Sequence, residues 1–312
     1  MDFSISDEQV QLADAVRRFC AGEYPYELRG EPSEPERREQ RWAMMAELGL
    51  TALTVAEEFG GMGQGMAEQM LVVEELGRCL SPEPYLNSAV IAPAILQQLG
   101  TTTQCNDWLA PLAEGRTKLA LAVYEPGNRY DASRFSTTVE VTADGFCLNG
   151  EKTLVLDGLD ADAYLVASYF NYSTGLFLVP RDAEGLSVTA GTTLDNRDLA
   201  RLSFQNVKLS SSARLGSDDA DVAAVLESSL DRAVAALCAE GVGAMAELVD
   251  QTAEFLKVRK QFGAPLAKFQ ALQHRLVDVL IELEQSRSMA GLAAMAIDEA
   301  EPARRRQLVS AA

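Results

Sequence analysis

Apolar residues recur at helical spacing through the first part of the chain. In SDEQVQLADAVRRF, Val10, Val16 and Phe19 fall near one helical face, and Ser6 followed by Gln9 is typical of a capping box. Similar spacing predicts further helices in EPERREQRWAMMAELG, MAEQMLVVEELGRCL, NSAVIAPAILQQLG and NDWLAPLAEG. The first ~115 residues are therefore predicted to be mainly helical.

The periodicity changes to that of strands between Lys118 and about Ser210. Short β-rich runs, among them LALAVYE, DAYLVASYF and GLFLVP, are separated by turn residues. Val139 and Val141 before Ala-Asp-Gly, then Phe146 and Leu148 before Asn-Gly, predict a hairpin followed by another turn. This stretch is therefore predicted to form a β-domain.

Helical spacing returns after the polar stretch GSDDAD, which is predicted to be a linker. One long helix is predicted from DVAAVLESSL to VRKQFG, and a second from about Phe269 into the 290s. The order predicts an α+β protein with an N-terminal helical domain (1–117), a central β-domain (118–215) and a C-terminal helical domain (216–312).

Composition and charge narrow the class of protein. A chain of 312 residues can bury a substantial core, and its formal charge of −19 repels a phosphate backbone, so nucleic-acid binding is not expected. The start, MDFSISDEQ, has no basic region leading into an apolar run, and no later segment offers about 18 uninterrupted apolar residues. With five widely spaced cysteines interpreted as reduced thiols, we expect a cytoplasmic protein without a membrane span.

Four glycines between residues 60 and 65 precede a predicted helix, so a dinucleotide-binding loop has to be considered. The spacing does not fit, because the third glycine position is Met66 when counted from Gly61 and Glu68 when counted from Gly63. We interpret the cluster as a plain loop between two helices.

The single histidine, His274, excludes Ser-His-Asp, Cys-His and multi-histidine metal sites elsewhere in the chain. Near it lies a basic and aromatic helix end, VRKQFGAPLAKFQALQH. Arg259 can hold a phosphate through two hydrogen bonds, and Gln270 can bond polar ligand atoms. The alternative interpretation of the same residues is a solvated helix terminus.

Taken in order, five segments of the chain resemble the acyl-CoA dehydrogenase family: FSISDEQ, AELGLTALTVAEEFGGMG, MLVVEELGRCL, YEP leading to GFCLNGEKTLVLDGLDADAYLVA, and VRKQFGAPLAKFQALQH. The resemblance implies helical, β and helical domains, an FAD cofactor, an acyl-CoA substrate, a tetramer and electron transfer to electron-transfer flavoprotein. In such enzymes a carboxylate removes the α-proton while the β-hydride goes to the flavin.

The resemblance also implies roles for particular residues. Arg259, Phe262 and Gln270 match the region that holds the adenine and pyrophosphate half of FAD belonging to a neighbouring subunit. Asp231 matches an aspartate near the CoA-binding end of the substrate pocket.

Departures from the family pattern concern the reacting half of the site. The usual segment around Thr-Glu-Pro and Gly-Ser-Asp carries Tyr124, Arg129 and Tyr130 at small flavin-facing positions. The usual Trp-Ile-Thr reads Leu154-Val155-Leu156, which removes an aromatic platform and a hydroxyl.

The catalytic base is also missing where the family would place it. Some members take it from the helix after the β-domain, where this chain has Ala233 followed by Val234. Most others use a later loop, and this sequence reaches VSAA roughly where the family has two more helices, so the C-terminal bundle is expected to be shortened. Asp231 is a weak candidate for the base.

These departures predict a subunit that completes a partner's FAD site. Some acyl-CoA dehydrogenases, including ones that resemble those of bacterial steroid side-chain breakdown, are α2β2 assemblies with fewer flavins than subunits. The alternatives are an ordinary homotetrameric enzyme with a truncated sequence and a flavin-free structural or CoA-binding homologue.

Overall fold

The computed structural model of the protein describes residues 5–26 and 34–312, so the first residues of the FSISDEQ motif lie outside the described part. The predicted capping box is confirmed. The Gln9 amide donates to Ser6 Oγ at 3.2 Å, and the Ser6 amide donates to Gln9 Oε1 at 2.9 Å. The first helix therefore begins where the sequence predicts.

The helices confirm the predicted order of helices, strands and helices. Their bounds are α1 (Asp7–Glu23), α2 (Pro35–Glu47), α3 (Met66–Cys79), a π-helix (Leu86–Ile91), α4 (Ala92–Leu99), α5 (Thr102–Ala113), α6 (Val222–Val258), α7 (Gln270–Ala296) and α8 (Pro302–Ala311). Among these helices none is both long and apolar enough to cross a membrane.

The strands form one large mixed sheet and a short hairpin. Their bounds are β1 (Leu119–Ala122), β2 (Thr138–Thr142), β3 (Gly145–Leu156), β4 (Ala163–Phe170), β5 (Ser173–Pro180), β6 (Leu186–Thr192), β7 (Asp198–Leu209), β8 (Arg214–Leu215), β9 (Lys260–Gln261) and β10 (Ala264–Pro265). The large sheet has the order β6-β7-β3-β2-β4-β5-β8, with β1 parallel to β4. The predicted hairpin is confirmed as β2 and β3, which pair antiparallel up to Thr142 opposite Gly145. The further turn predicted at Asn149 and Gly150 is wrong, because β3 continues through both residues with only a shift in its pairing to β7.

The chain divides into two compact units, each described here by itself. One unit contains Met66–Ser81, Val234–Ala312 and the described part of Met1–Arg29; the other contains Pro82–Ala233 and the described part of Gly30–Gly65. The second unit holds the large sheet and a core on each of its faces. In β1, Leu119 and Leu121 belong to one core cluster while Ala120 and Ala122 belong to the other. The alternation follows from the two-residue period of a strand, and both faces are covered.

Side chains of the π-helix bond the backbone of β1. Ser88 Oγ lies 3.1 Å from both the amide and the carbonyl of Leu119, and the Leu121 amide donates to Asn87 Oδ1 at 3.0 Å. Both side chains are buried. An unpaired backbone group in this core would be costly. On this edge of β1 the two side chains supply the hydrogen bonds that a neighbouring strand would otherwise make.

The other unit brings α3 and α6 into close contact through two glycines. A Cβ at Gly77 would lie 2.2 Å from the Glu240 carbonyl oxygen, and one at Gly243 would lie 1.9 Å from the Glu74 carbonyl oxygen. Ion pairs surround this crossing, including Arg287 to Glu74 at 3.1 Å. Backbone contact of this kind is available only to residues without a side chain.

We expect Gly243→Ala to destabilise the protein by about 3 kcal/mol or more, because the added methyl meets backbone that can move only if the helices separate. Gly241→Ala is the matched control. Gly241 lies on the same helix with nothing within 4 Å of its Cβ position, so this change should stabilise by about 0.5–1 kcal/mol. Urea unfolding measures both, and equal effects would contradict the close approach.

Candidate functional site

A buried ion pair lies behind the segment that follows β1. The Lys152 side chain, on β3, is fully buried, and its Nζ donates to Glu125 Oε1 at 2.7 Å and to the Val123 carbonyl at 3.0 Å. The same ammonium lies 4.4 Å from the centre of the Phe135 ring. The charge is thus neutralised, hydrogen-bonded and stacked, as a buried lysine requires.

The Glu125 carboxylate uses both oxygens. The Thr137 amide donates to Oε1 at 3.0 Å, and the Ser136 amide donates to Oε2. Burial tends to raise the pKa of Glu125, but the hydrogen bonds from Lys152 and the two amides hold it below its ordinary value. Burial lowers the pKa of Lys152 to about 8. Both groups are therefore ionised at neutral pH.

The two segments that depart from the family pattern lie side by side. The Thr153 amide donates to the Tyr124 carbonyl at 2.8 Å. The Tyr124 ring is half-buried and meets Tyr130 edge to face, with the ring centres 5.7 Å apart. Leu154 has φ 53° at an irregularity of β3 and is 40% exposed. An aromatic pair therefore occupies the place where small residues were expected by resemblance.

Asp157, just after β3, is a buried carboxylate. Asn87 Nδ2 donates to Asp157 Oδ2 at 3.0 Å and to the Leu156 carbonyl at 3.0 Å. Burial raises the pKa of Asp157 to about 6, although the Asn87 hydrogen bond and the charges of Arg38 and Arg197 act in the opposite direction. The carboxylate thus titrates closer to neutrality than an ordinary aspartate.

Replacing Asp157 with asparagine should stabilise the protein at neutral pH. The pKa of this carboxyl is raised to about 6 in the folded protein. Its full contribution to the free energy of unfolding is therefore present only below the unfolded pKa of about 4 and is lost as the pH rises through about 6. Asparagine keeps the hydrogen bond from Asn87 and cannot ionise. We expect a gain of up to about 3 kcal/mol above pH ~7 that vanishes near pH ~4.

Urea unfolding across that pH range measures the gain of Asp157→Asn. Asp144→Asn, at an exposed position, serves as the control and should leave the profile unchanged. A gain of the same size at all pH values would contradict ionisation of Asp157 as its cause.

The residues predicted to hold a neighbour's cofactor gather around a short hairpin between α6 and α7. Phe262 and Gly263 form its turn with φ 52° and 77°, and β9 pairs with β10 on either side. The Leu266 amide donates to the Arg259 carbonyl at 2.8 Å, which closes the base of the hairpin. Left-handed φ at both turn positions is the type I′ geometry that matches strand twist.

Arg259, Phe262 and Gln270 are all exposed, and the Phe262 ring is 91% exposed. This ring lies 6.1 Å from that of Phe269, edge to face. Phe269 is the N-cap of α7 and offers no side-chain acceptor, and Gln270 is the first residue of the helix. The hairpin therefore brings an exposed cation and an exposed ring close to an uncapped helix N-terminus, an arrangement that suits an anion.

Asp231 belongs to the other unit and lies in the first third of α6, where it is partly buried. The same part of the helix holds the buried Ala233 and Val234, which is 42% exposed. Neither of those two side chains can take up a proton.

A groove of about 300 Å³ runs between α6 and α7. It is lined mainly by apolar side chains, with Arg275 and Glu282 among them. Large apolar residues are also exposed along both helices: Leu248, Phe255, Val258, Val277, Val279, Leu280 and Ile281. The sequence interpretation missed this face, because the helical period does not tell whether an apolar stripe is covered by the same chain.

Comparison with known proteins identifies the family. Models of the N-terminal, middle and C-terminal domains of acyl-CoA dehydrogenases match residues 6–116, 120–207 and 223–312. The chain therefore belongs to the acyl-CoA dehydrogenase family, whose cofactor is FAD.

The matches to individual relatives extend over nearly the whole chain. Acryloyl-CoA reductase (NADH) of Anaerotignum propionicum is 27% identical over 317 residues, 97% of this chain and 79% of that protein. A variant of the Tcur3481-Tcur3483 steroid ACAD is 31% identical with a TM-score of 0.85, over 97% of this chain and 81% of that chain. The ChsE4-ChsE5 complex from Mycobacterium tuberculosis is 26% identical with a TM-score of 0.81, over 95% and 79%.

Proposed function

We propose that this chain is a subunit of an FAD-dependent acyl-CoA dehydrogenase that carries out α,β-dehydrogenation of an acyl-CoA thioester, and that it completes the FAD site of a partner subunit. One observation carries the proposal. The residues that would serve a neighbour's cofactor are exposed and gathered, while the positions that would face this chain's own flavin are filled by Tyr124 and Tyr130.

The hairpin region fits the adenine and pyrophosphate half of FAD. Arg259 would pair with the pyrophosphate, since a guanidinium forms two parallel hydrogen bonds to phosphate oxygens. The uncapped start of α7 adds backbone donors and a favourable dipole. Phe262 offers an open ring face for stacking, and Gln270 offers an amide. When bound, FAD supplies the acceptor for the substrate's hydride.

The residues of this chain fit the reacting half of a flavin site less well than they fit the adenine and pyrophosphate half. By resemblance, small residues of this segment lie beside the flavin ring, whereas here the segment carries the Tyr124 and Tyr130 rings, with centres 5.7 Å apart. Leu156 replaces the usual threonine, so the hydroxyl that reaches the flavin by resemblance is absent at that position. The asymmetry between the two halves supports a heteromer in which this chain's own site carries little chemistry.

The exposed apolar face of α6 and α7 supports an oligomer. Large apolar patches are rare on monomers and mark interfaces. Phe262, in the hairpin that follows α6, is also exposed. The similarity to the ChsE4-ChsE5 complex and to a steroid ACAD supports an α2β2 assembly acting on bulky, steroid-derived thioesters. Electron-transfer flavoprotein is the proposed electron acceptor, and the cytoplasm is the proposed location.

Asp231 is proposed to lie at the CoA-binding end of the substrate pocket, on the resemblance alone. Its carboxylate could serve as the base only in a rearranged pocket, because Ala233 and Val234 stand where the family places its base and the following arginine. We therefore assign proton abstraction to the partner subunit, where a suitably placed carboxylate would meet the α-proton.

The flavin-to-chain ratio tests the proposed assembly. We expect the protein purified alone to carry no flavin, and the protein co-expressed with a neighbouring dehydrogenase-like gene to carry about one flavin per two chains. Absorbance at the flavin bands against protein concentration gives the ratio. About one flavin per chain in the protein alone would restore an ordinary homomeric enzyme, and no flavin with any partner would indicate a structural or CoA-binding protein.

Arg259→Ala should weaken flavin binding by the assembly about 10- to 100-fold, because a charge-assisted hydrogen bond to a phosphate contributes about 1.5–3 kcal/mol. Flavin release during dilution, followed by fluorescence, measures the change. Lys257→Ala is the control, since Lys257 is an exposed cation nearby that pairs with Glu254 at 2.6 Å. Unchanged flavin occupancy in Arg259→Ala would rule out the pyrophosphate role.

A further inference from the structure

We propose that Glu125 and Lys152 are positioning residues that close the loop formed by residues 126–135 and thereby hold Tyr130 against Tyr124, in the place where this chain's own flavin would lie. The role of the filled flavin position rests on the proposed function. The closure of the loop is supported by contacts within one unit of the structure.

The carboxylate of Glu125 joins the two ends of this loop. Glu125 directly precedes the loop, and its oxygens accept hydrogen bonds from the amides of Ser136 and Thr137, which directly follow it. A single side chain thus connects the exit of β1 to the approach to β2. Closing a loop at its base limits the positions that the residues inside it can reach.

Lys152 offsets the cost of burying the Glu125 carboxylate at the base of the loop. It neutralises Glu125, bonds the Val123 carbonyl before the loop and lies under the ring of Phe135, the last loop residue. The ammonium therefore contacts both ends of the loop as well as the carboxylate. An unneutralised carboxylate here would lose its charge or draw in water, and the two amides would lose their acceptor.

The closed loop determines where Tyr130 lies. Asn128 Nδ2 donates to the Arg134 carbonyl at 2.9 Å, which holds the interior of the loop together. Tyr130 then meets Tyr124, whose carbonyl is itself fixed by the Thr153 amide at 2.8 Å. The contact between the rings thus depends on the loop that the ion pair closes.

Limited trypsin digestion of the full chain tests the closure, because Arg129 and Arg134 both lie in the loop. The test variant is Glu125→Gln/Lys152→Met, which removes both charges together and so avoids stranding one of them. We expect cleavage after Arg129 and Arg134 to become about tenfold faster or more, because glutamine keeps one acceptor oxygen for two amides and methionine no longer bonds the Val123 carbonyl, so two hydrogen bonds at the loop base are lost. Fragment masses locate the cuts, and cleavage elsewhere should be unchanged.

Glu151→Gln/Arg201→Met is the matched control. Glu151 is next to Lys152 on β3 and pairs with Arg201 on β7, but that pair is largely exposed. Apart from position 201, where the substitution removes a trypsin site, the control should digest like the unmodified protein. Equal loop cleavage in the test variant and the unmodified protein would overturn the proposal, as would a uniform increase at all sites, which would show general unfolding instead of a released loop.

If the test variant does not fold, amide exchange of the unmodified chain decides. The Ser136 and Thr137 amides lie before β2 and should exchange slowly because Glu125 accepts from them. Exchange at the rate of open amides would overturn the proposal. Flavin carried by the chain alone, together with slow loop cleavage, would refute the proposed function and leave the closed loop intact.

Discussion

Satisfaction of buried polar groups is the constraint on which the sheet-containing unit depends. The Asn87 amide makes this concrete, since it accepts from the Leu121 amide and donates to the Leu156 carbonyl and to Asp157. One buried side chain therefore links β1 to the end of β3. In a low-dielectric core such a group stabilises only when all its bonds are made, so it restricts the unit to a single arrangement of its strands.

The same constraint applies to the two segments that depart from the family pattern. The Glu125 and Lys152 pair and the Thr153 to Tyr124 backbone bond hold the backbone of these segments in place. Exposed or half-exposed side chains in these segments, such as those of Tyr130 and Leu154, bury no polar group that needs a partner. A protein of this family can therefore lose chemistry at a site while the fold around the site persists.

Features with a local cause could be predicted from the sequence. The capping box at Ser6 and the β2–β3 hairpin follow from neighbouring residues. The long helix α6 follows from its periodicity, but it ends at Val258, whereas the prediction carried it into VRKQFG, where Lys260 and Gln261 form β9 instead. The π-helix and α8 were not predicted, the first because its apolar pattern matches that of an α-helix. The pairing of Lys152 with Glu125 could not be read either, since it joins residues that only the folded sheet brings together. The roles of Arg259, Phe262, Gln270 and Asp231 stay predictions.

The turn at Phe262 has a consequence for the entropy of association. Phe262 adopts a left-handed φ of 52°, which costs a non-glycine residue about 1 kcal/mol or more. Because the hairpin already holds the backbone of this turn, the strain is present before anything binds. A molecule that covers the ring would then not have to order the turn. Its residence time would depend on the contacts that it makes.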